Sequence, residues 1–243
     1  MSRRIWRVDS GPLGRAVTVA RWGHFGRPIL LFPTAGGDAL ECERFGMVAA
    51  LGGLIDAGRI KLYSADSVSG QALIAADVPP PRKAEVQEQF DAFVADELVP
   101  LMRADCAGAV DRVAVAGASI GAFNALNTAC RHPDLFELTV AMSGTYQLER
   151  WMGRQRDANA YRNTPALFLP NLADGPQLTQ LRRSFFLLAT GTGRWEAPWE
   201  TDQIAALLAS RSVPHRVEKW GPDAHHDWPT WRTMLPLFLD RLV

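Results

Sequence analysis

The pentapeptide Gly117-Ala118-Ser119-Ile120-Gly121 follows the apolar run Val113-Ala114-Val115-Ala116 and leads into a small-residue helical pattern. A serine in G-x-S-x-G spacing at the end of a buried strand has the setting of a nucleophile elbow. The turn is so tight that only small residues fit beside the serine, and its hydroxyl stands clear of the sheet. The chemistry this suits is acyl transfer through a covalent acyl-serine. Such a serine needs a base within hydrogen-bond reach, a group that orients the base, and two N–H donors for the developing oxyanion.

The chain has five histidines. His24 reads as a hairpin residue, His132 as part of a helix ending, and His215 as the lead into a strand; each context already accounts for a polar side chain. His225 and His226 instead lie in Gly221-Pro222-Asp223-Ala224-His225-His226-Asp227-Trp228-Pro229, after the last strand pattern and before the last helix pattern. In chain order the base comes last, in such a loop. His226, nearer the helix start, is preferred over His225. The acid is expected between nucleophile and base, after the strand Phe185–Ala189. Glu196 lies in that loop proper and is preferred; Glu200 is the alternative, partly explained by the helix that follows, and Asp202 is explained by that helix's dipole. One oxyanion donor is expected to be the N–H of Ile120. The other is expected in Pro33-Thr34-Ala35-Gly36-Gly37-Asp38, from Ala35 or alternatively Gly36.

The elements that must position these residues alternate in type. Ile5–Val8, Ala16–Arg21, Pro28–Phe32, Ile60–Ser64, Val113–Ala116, Leu138–Met142, Phe185–Ala189 and Val217–Trp220 read as strands. Helical patterns run from Ala84 to Met102, from Thr201 (as a cap) to Ser210, and from about Thr230, with Pro236 bending the last. Strands feeding helices predict an α/β fold: a mostly parallel sheet of about eight strands covered on both faces, with ligands beyond the strands' carboxyl ends. Residues 1–243 read as a single domain. The segment from Gln147 to Arg183 reads as an excursion over the top of the sheet, with Trp151, Tyr161, Arg150, Arg154 and Arg156 as candidate walls of a substrate pocket.

Composition excludes other classes. Lys+Arg and Asp+Glu number 26 each, and 47% of the residues are hydrophobic. No basic stripe points to nucleic acid. Charged residues interrupt every apolar stretch before the ~18 needed to span a bilayer, and no apolar run follows the basic N-terminus. The odd cysteine count (Cys42, Cys106 and Cys130) argues for free thiols, so a cytoplasmic location is expected. No metal-ligand spacing, P-loop or dinucleotide fingerprint occurs, so no metal or cofactor is expected.

Three stretches carry a likeness: G-R-P-I-L-L-F-P-T-A-G-G (Gly26 to Gly37), the G-A-S-I-G elbow, and H-D-W-P-T-W-R (His226 to Arg232). With Ala160-Tyr-Arg-Asn-Thr-Pro165 and Phe168-Leu-Pro-Asn-Leu172, they resemble the esterases of the α/β-hydrolase fold related to esterase D, S-formylglutathione hydrolase and the mycolyltransferase antigens. The resemblance implies Ser119 as nucleophile, His226 as base and an oxyanion donor at Ala35. It supports Glu196 through the G-x-G-x-[WY]-E pattern of small bacterial members, whereas a gapless comparison with the esterase D branch falls at Arg194, which cannot serve as an acid. It also implies small-molecule ester or thioester substrates. The rival readings are acyl transfer by the same residues and a hydrolase-like binding protein without activity. Oligomeric state is left open.

Overall fold

A computed structural model describes residues 2–108, 110–153 and 157–243. Eight strands form one sheet: β1 (Arg3–Ser10), β2 (Arg15–Trp22), β3 (Arg27–Phe32), β4 (Ile60–Ala65), β5 (Val113–Ala118), β6 (Phe136–Met142), β7 (Phe185–Thr190) and β8 (His215–Lys219). Their order is β1-β2-β4-β3-β5-β6-β7-β8. The β1–β2 and β2–β4 pairs are antiparallel and the others parallel. This is the α/β-hydrolase fold expected from the alternation of strand and helix patterns.

Every residue of β5 is buried, as a central parallel strand requires. Val113 and Val115 face one core; Ala114, Ala116 and Ala118 face the other. The first core lies beneath α1 (Pro80–Phe93), α2 (Ile120–Arg131), α3 (Pro198–Ser210) and the short helices after β6. The second lies beneath α4 (Trp228–Leu242) and the short helices between β3 and β4. The chain runs from β3 to β4 on one side, then returns to place β5 on the other. The carboxyl ends of β3 and β5 therefore flank a topological switch point, where open α/β sheets bind ligands.

Four local expectations are corrected. The Ala84–Met102 pattern is not one helix, because the turn Val94–Leu98 widens to a π-helix before Val99–Asp105. Pro100 supplies no N–H to the helical ladder, and the widened turn absorbs that loss. α3 starts at Pro198, where proline's fixed φ suits the first helical position, so Thr201 is a buried first-turn residue and not a cap. The last strand begins at His215 and ends at Lys219, so His215 opens it and Trp220 lies outside. His24 is not in a hairpin: β4 lies between β2 and β3, and the chain crosses it through Gly23 and Gly26. Gly26 (φ 105°) lies so close to the Arg59–Ile60 backbone that a Cβ would come within 2.5 Å.

Candidate active site

Ser119 sits between β5 and α2 with φ 57° and ψ −122°, a region that non-glycine residues rarely occupy. Holding it there costs on the order of 1–3 kcal/mol, which the surroundings must offset. They do so by close packing. A Cβ on Gly117 would lie 2.2 Å from the Gly121 carbonyl oxygen, and one on Gly121 would lie 2.5 Å from the carbonyls of Phe32 and Pro33. The Ser119 N–H donates to Met142 O at 3.1 Å, and its carbonyl accepts from Thr145 N at 3.3 Å. The serine itself is half-buried. At the start of α2, the N–H of Ile120 has no acceptor among the described residues, as the first amides of a helix lack intrahelical partners.

The loop after β3 lies alongside, because Gly121 packs on its first residues. Its N–H groups at Ala35 and Gly36 also have no acceptor among the described residues. Ala35 is half-buried and Gly36 exposed. Two contacts set the loop's shape. The buried Glu41 carboxylate accepts from Thr34 N and from Thr34 Oγ1, each at 2.7 Å. From the other side, Gly70 of the helix Val68–Ile74 packs on the Ala35 carbonyl, where a Cβ would come within 2.1 Å. Ala35 and Ile120 are thus free donors on two loops that touch.

His226 directly precedes Asp227, whose side chain caps α4 by accepting from Thr230 N at 3.3 Å. The loops after β7 and β8 are laced together. Gly193 N donates to Ala224 O at 3.0 Å, Arg194 N to His225 Nδ1 at 2.9 Å, and His226 N to Arg194 O at 3.0 Å. His225 is exposed, and its ring serves this lacing. The half-buried His226 ring meets Trp231 edge-to-face at 5.2 Å between centroids. Burial holds the His226 pKa below its usual 6.5. Glu196 acts most strongly to raise it, Arg150 lowers it, and Asp227 and Glu200 raise it less.

The two candidate carboxylates differ in employment. Glu196 Oε1 accepts from Ser143 Oγ at 2.5 Å, and Oε2 lies 3.0 Å from Thr190 Oγ1. The Ser143 oxygen in turn accepts from Trp231 Nε1 at 2.9 Å. Trp231 therefore packs on His226 with its ring and, through Ser143, orders Glu196 with its N–H. Glu200, only 2% exposed, accepts from the N–H groups of Tyr146 and Gln147 and from Arg150 Nη2. Those bonds tie the segment that begins near Gln147 to α3. Asp202 pairs with Lys219 at 2.7 Å.

Residues 68–242 match the family described as "Putative esterase". The chain belongs to that family. As a member of this esterase family, it is an ester-hydrolysing enzyme. No curated protein matches the chain. Among solved structures, a ferulic acid esterase superposes with a TM-score of 0.73 at 16% identity, over 100% of this chain and 99% of its own. An S-formylglutathione hydrolase from Agrobacterium tumefaciens gives 0.74 at 14%, over 98% and 93%. MPT51 of Mycobacterium tuberculosis gives 0.70 at 15%, over 100% and 98%. At such identities the likeness shows the shared fold.

In this esterase the described part of the segment from Gln147 to Arg183 includes the short helices Glu149–Met152, Ala158–Arg162, Pro165–Phe168 and Pro176–Leu181. Trp151 lies in the first, beneath the Arg150 guanidinium at 4.6 Å. Tyr161 lines, with Arg131, His132 and Arg162, a cavity of about 320 Å³ that neither Ser119 nor His226 borders. Arg154 and Arg156 lie outside the described residues. His132 meets the buried Asp91 at 2.6 Å, so its partner is structural and not solvent. All three cysteines are unpaired, and no described helix is long and apolar enough to cross a membrane.

Sequence reasoning missed Glu41, Gly70 and Ser143; it placed Trp231 near the site, within the His226 to Arg232 stretch, without the contacts that Trp231 makes. Of the missed three only Ser143 carried a usable signal, since it follows the last residue of β6 at a strand's carboxyl end. Gly70→Ala tests the second support of the loop at Ala35, whose N–H is the expected oxyanion donor. Its Cβ must displace the Ala35 carbonyl and with it the Ala35–Gly36 peptide. Turnover is expected to fall about 10²-fold, as for loss of one oxyanion donor, with KM little changed. Steady-state kinetics on 4-nitrophenyl butyrate check this, and an unchanged kcat would show that the loop tolerates the shift.

Proposed function

We propose that this esterase works through an acyl-enzyme on Ser119, with His226 as general base and Glu196 as the acid that orients it. Ser119 Oγ attacks the acyl carbonyl as its proton passes to the His226 ring, and the N–H groups of Ile120 and Ala35 receive the oxyanion. Collapse breaks the bond to the leaving group, which takes the proton from His226. Water, deprotonated by the same ring, then attacks the acyl-serine and releases the acid. The observation that carries this reading is the strained Ser119 backbone at the head of α2, beside two unengaged N–H donors. Strain is kept where it positions a reacting group. The lowered His226 pKa supports the base role, because the ring is neutral and able to accept a proton at neutral pH. Substrates are small-molecule carboxylic esters or thioesters.

A fluorophosphonate probe tests the nucleophile. One adduct per chain is expected, on the peptide containing Ser119, with parallel loss of 4-nitrophenyl butyrate turnover. An adduct on another residue, or none on active protein, would overturn the assignment.

A further inference from the structure

The helix Val68–Ile74 is clamped along one face to the loop after β3. Ser67, the residue before the helix, donates its N–H to Gly37 O at 3.0 Å, and Gln71 Nε2 reaches the same carbonyl at 3.5 Å. Gly70 packs on the Ala35 carbonyl, and Ile74 Cδ1 lies 2.9 Å from where a Cβ on Gly36 would stand. Residues spaced three and four apart share a helical face, so Ser67, Gly70, Gln71 and Ile74 form one seam. Ser67 and Gly70 are buried and Gln71 is half-buried, whereas Ile74 ends the seam with 47% of its surface exposed. A solitary exposed isoleucine needs no explanation in general. This one touches Gly36, next to the Ala35 N–H that is expected to receive the oxyanion.

The two cores divide the space around Ser119. His226 comes from the side of the second core, since Ala224 and Trp231, on either side of it in the chain, are buried there. The helix Val68–Ile74 belongs to the first core through Val68 and Leu73, and Ala35 packs against the same core. Ser119 follows β5, the strand whose alternate residues face the two cores. In the tetrahedral intermediate the acyl carbon bears Ser119 Oγ, the oxyanion, the leaving group and the acyl substituent. The oxyanion takes the N–H groups, and the leaving group must face His226, which hands it a proton. The acyl substituent is left with the opposite direction, over the first core, where Ile74 offers an apolar surface beside the loop.

We propose that Ile74 is a specificity determinant that favours esters with a linear apolar acyl chain over acetyl esters, by direct contact with that chain. The proposal rests on the reading of Ser119, His226 and Ala35 given above. Its source is hydrophobic: each methylene withdrawn from water onto the side chain adds up to about fourfold in kcat/KM. An acetyl group, with one carbon beyond the carbonyl, gains least.

The test measures kcat/KM for 4-nitrophenyl acetate, butyrate and hexanoate and for 1-naphthyl butyrate. Wild type, Ile74→Ala and Ile74→Leu are compared. Wild type is expected to favour the hexanoate over the acetate by about tenfold. Ile74→Ala should cut that ratio by about threefold or more through loss on the longer chains, with the acetate changed less than about twofold. Ile74→Leu, which keeps the apolar volume, should hold the ratio near that of wild type. Because the acyl part carries the effect, Ile74→Ala should change both butyrates by the same factor. An unchanged or larger chain-length ratio in Ile74→Ala overturns the proposal, as does a change that follows the alcohol instead of the acyl chain. A parallel fall on every ester also overturns it, since that is the result expected if Ile74 only steadies Gly36. Fluorophosphonate labelling separates the two levels of failure. Protein that labels at Ser119 but keeps its chain-length ratio in Ile74→Ala loses only the Ile74 assignment, whereas protein that neither labels nor turns over any ester loses both.

Discussion

Ser119→Ala is expected to lower kcat/KM for 4-nitrophenyl butyrate by on the order of 10⁴–10⁶-fold, leaving only what the oxyanion donors and binding supply. The size follows from the proposed covalent route. Without the hydroxyl no acyl-enzyme forms, and the remaining N–H groups can only assist direct attack by water. The fold should survive. The substituted alanine would hold the same φ of 57°, and the contacts that enforce it come from Gly117 and Gly121 and from the Met142 and Thr145 backbone, not from the serine side chain. Thermal melting within a few degrees of wild type, together with the lost turnover and lost fluorophosphonate adduct, is the expected set. A variant that keeps activity within tenfold of wild type would remove Ser119 from the mechanism.

Glu196→Gln is expected to cut kcat by about 10²–10⁴-fold, in line with replacing the acid of a serine triad by its amide. Two effects combine. The amide no longer stabilises the imidazolium, and its NH₂ competes for the bonds that now order the carboxylate with Ser143 and Thr190. The pH profile gives an independent signature. In the proposed mechanism neutral His226 is the active form, so kcat/KM is expected to rise with pH through the ring's pKa, which burial holds below its usual 6.5. Glu196 is the strongest influence holding that pKa up, so its removal should move the acid limb to lower pH. Glu200→Gln should behave differently. It weakens the pairing with Arg150 and the anchoring of Tyr146 and Gln147, so the expected loss is stability, about 1–3 kcal/mol, with a far smaller change in kcat. Kinetics across pH 5 to 9 and thermal melts of both variants decide the matter. If Glu200→Gln stays stable and loses turnover while Glu196→Gln retains it, the roles are reversed.

Several features were legible because they are enforced within a few residues of chain. A buried parallel strand needs a continuous apolar run, and Val113–Ala116 supplies it. A tight strand-to-helix turn needs small residues, and Gly117 and Gly121 meet carbonyls at distances that admit no Cβ. Such local steric demands leave a direct mark on residue type, as does the Pro198 start of α3, although the expected Thr201 cap missed it. The employment of Glu196 and Glu200 left no comparable mark. Four residues apart on the same loop and helix start, they differ only in what the rest of the fold brings to them: Ser143 from the end of β6 for one, and the Tyr146–Gln147 amides and Arg150 for the other. The same holds for Glu41 and Gly70, which shape the loop at Ala35, and for the bond by which Trp231, already near the site in sequence, joins His226 to Ser143 across 88 residues. By itself the sequence determined the buried strand and the small-residue turn that holds Ser119, because backbone sterics and strand periodicity act between near neighbours. Only the tertiary structure decided which carboxylate Ser143 engages and which one the Tyr146 and Gln147 amides and Arg150 engage, because hydrogen bonds and charges act through space between segments that the chain keeps far apart.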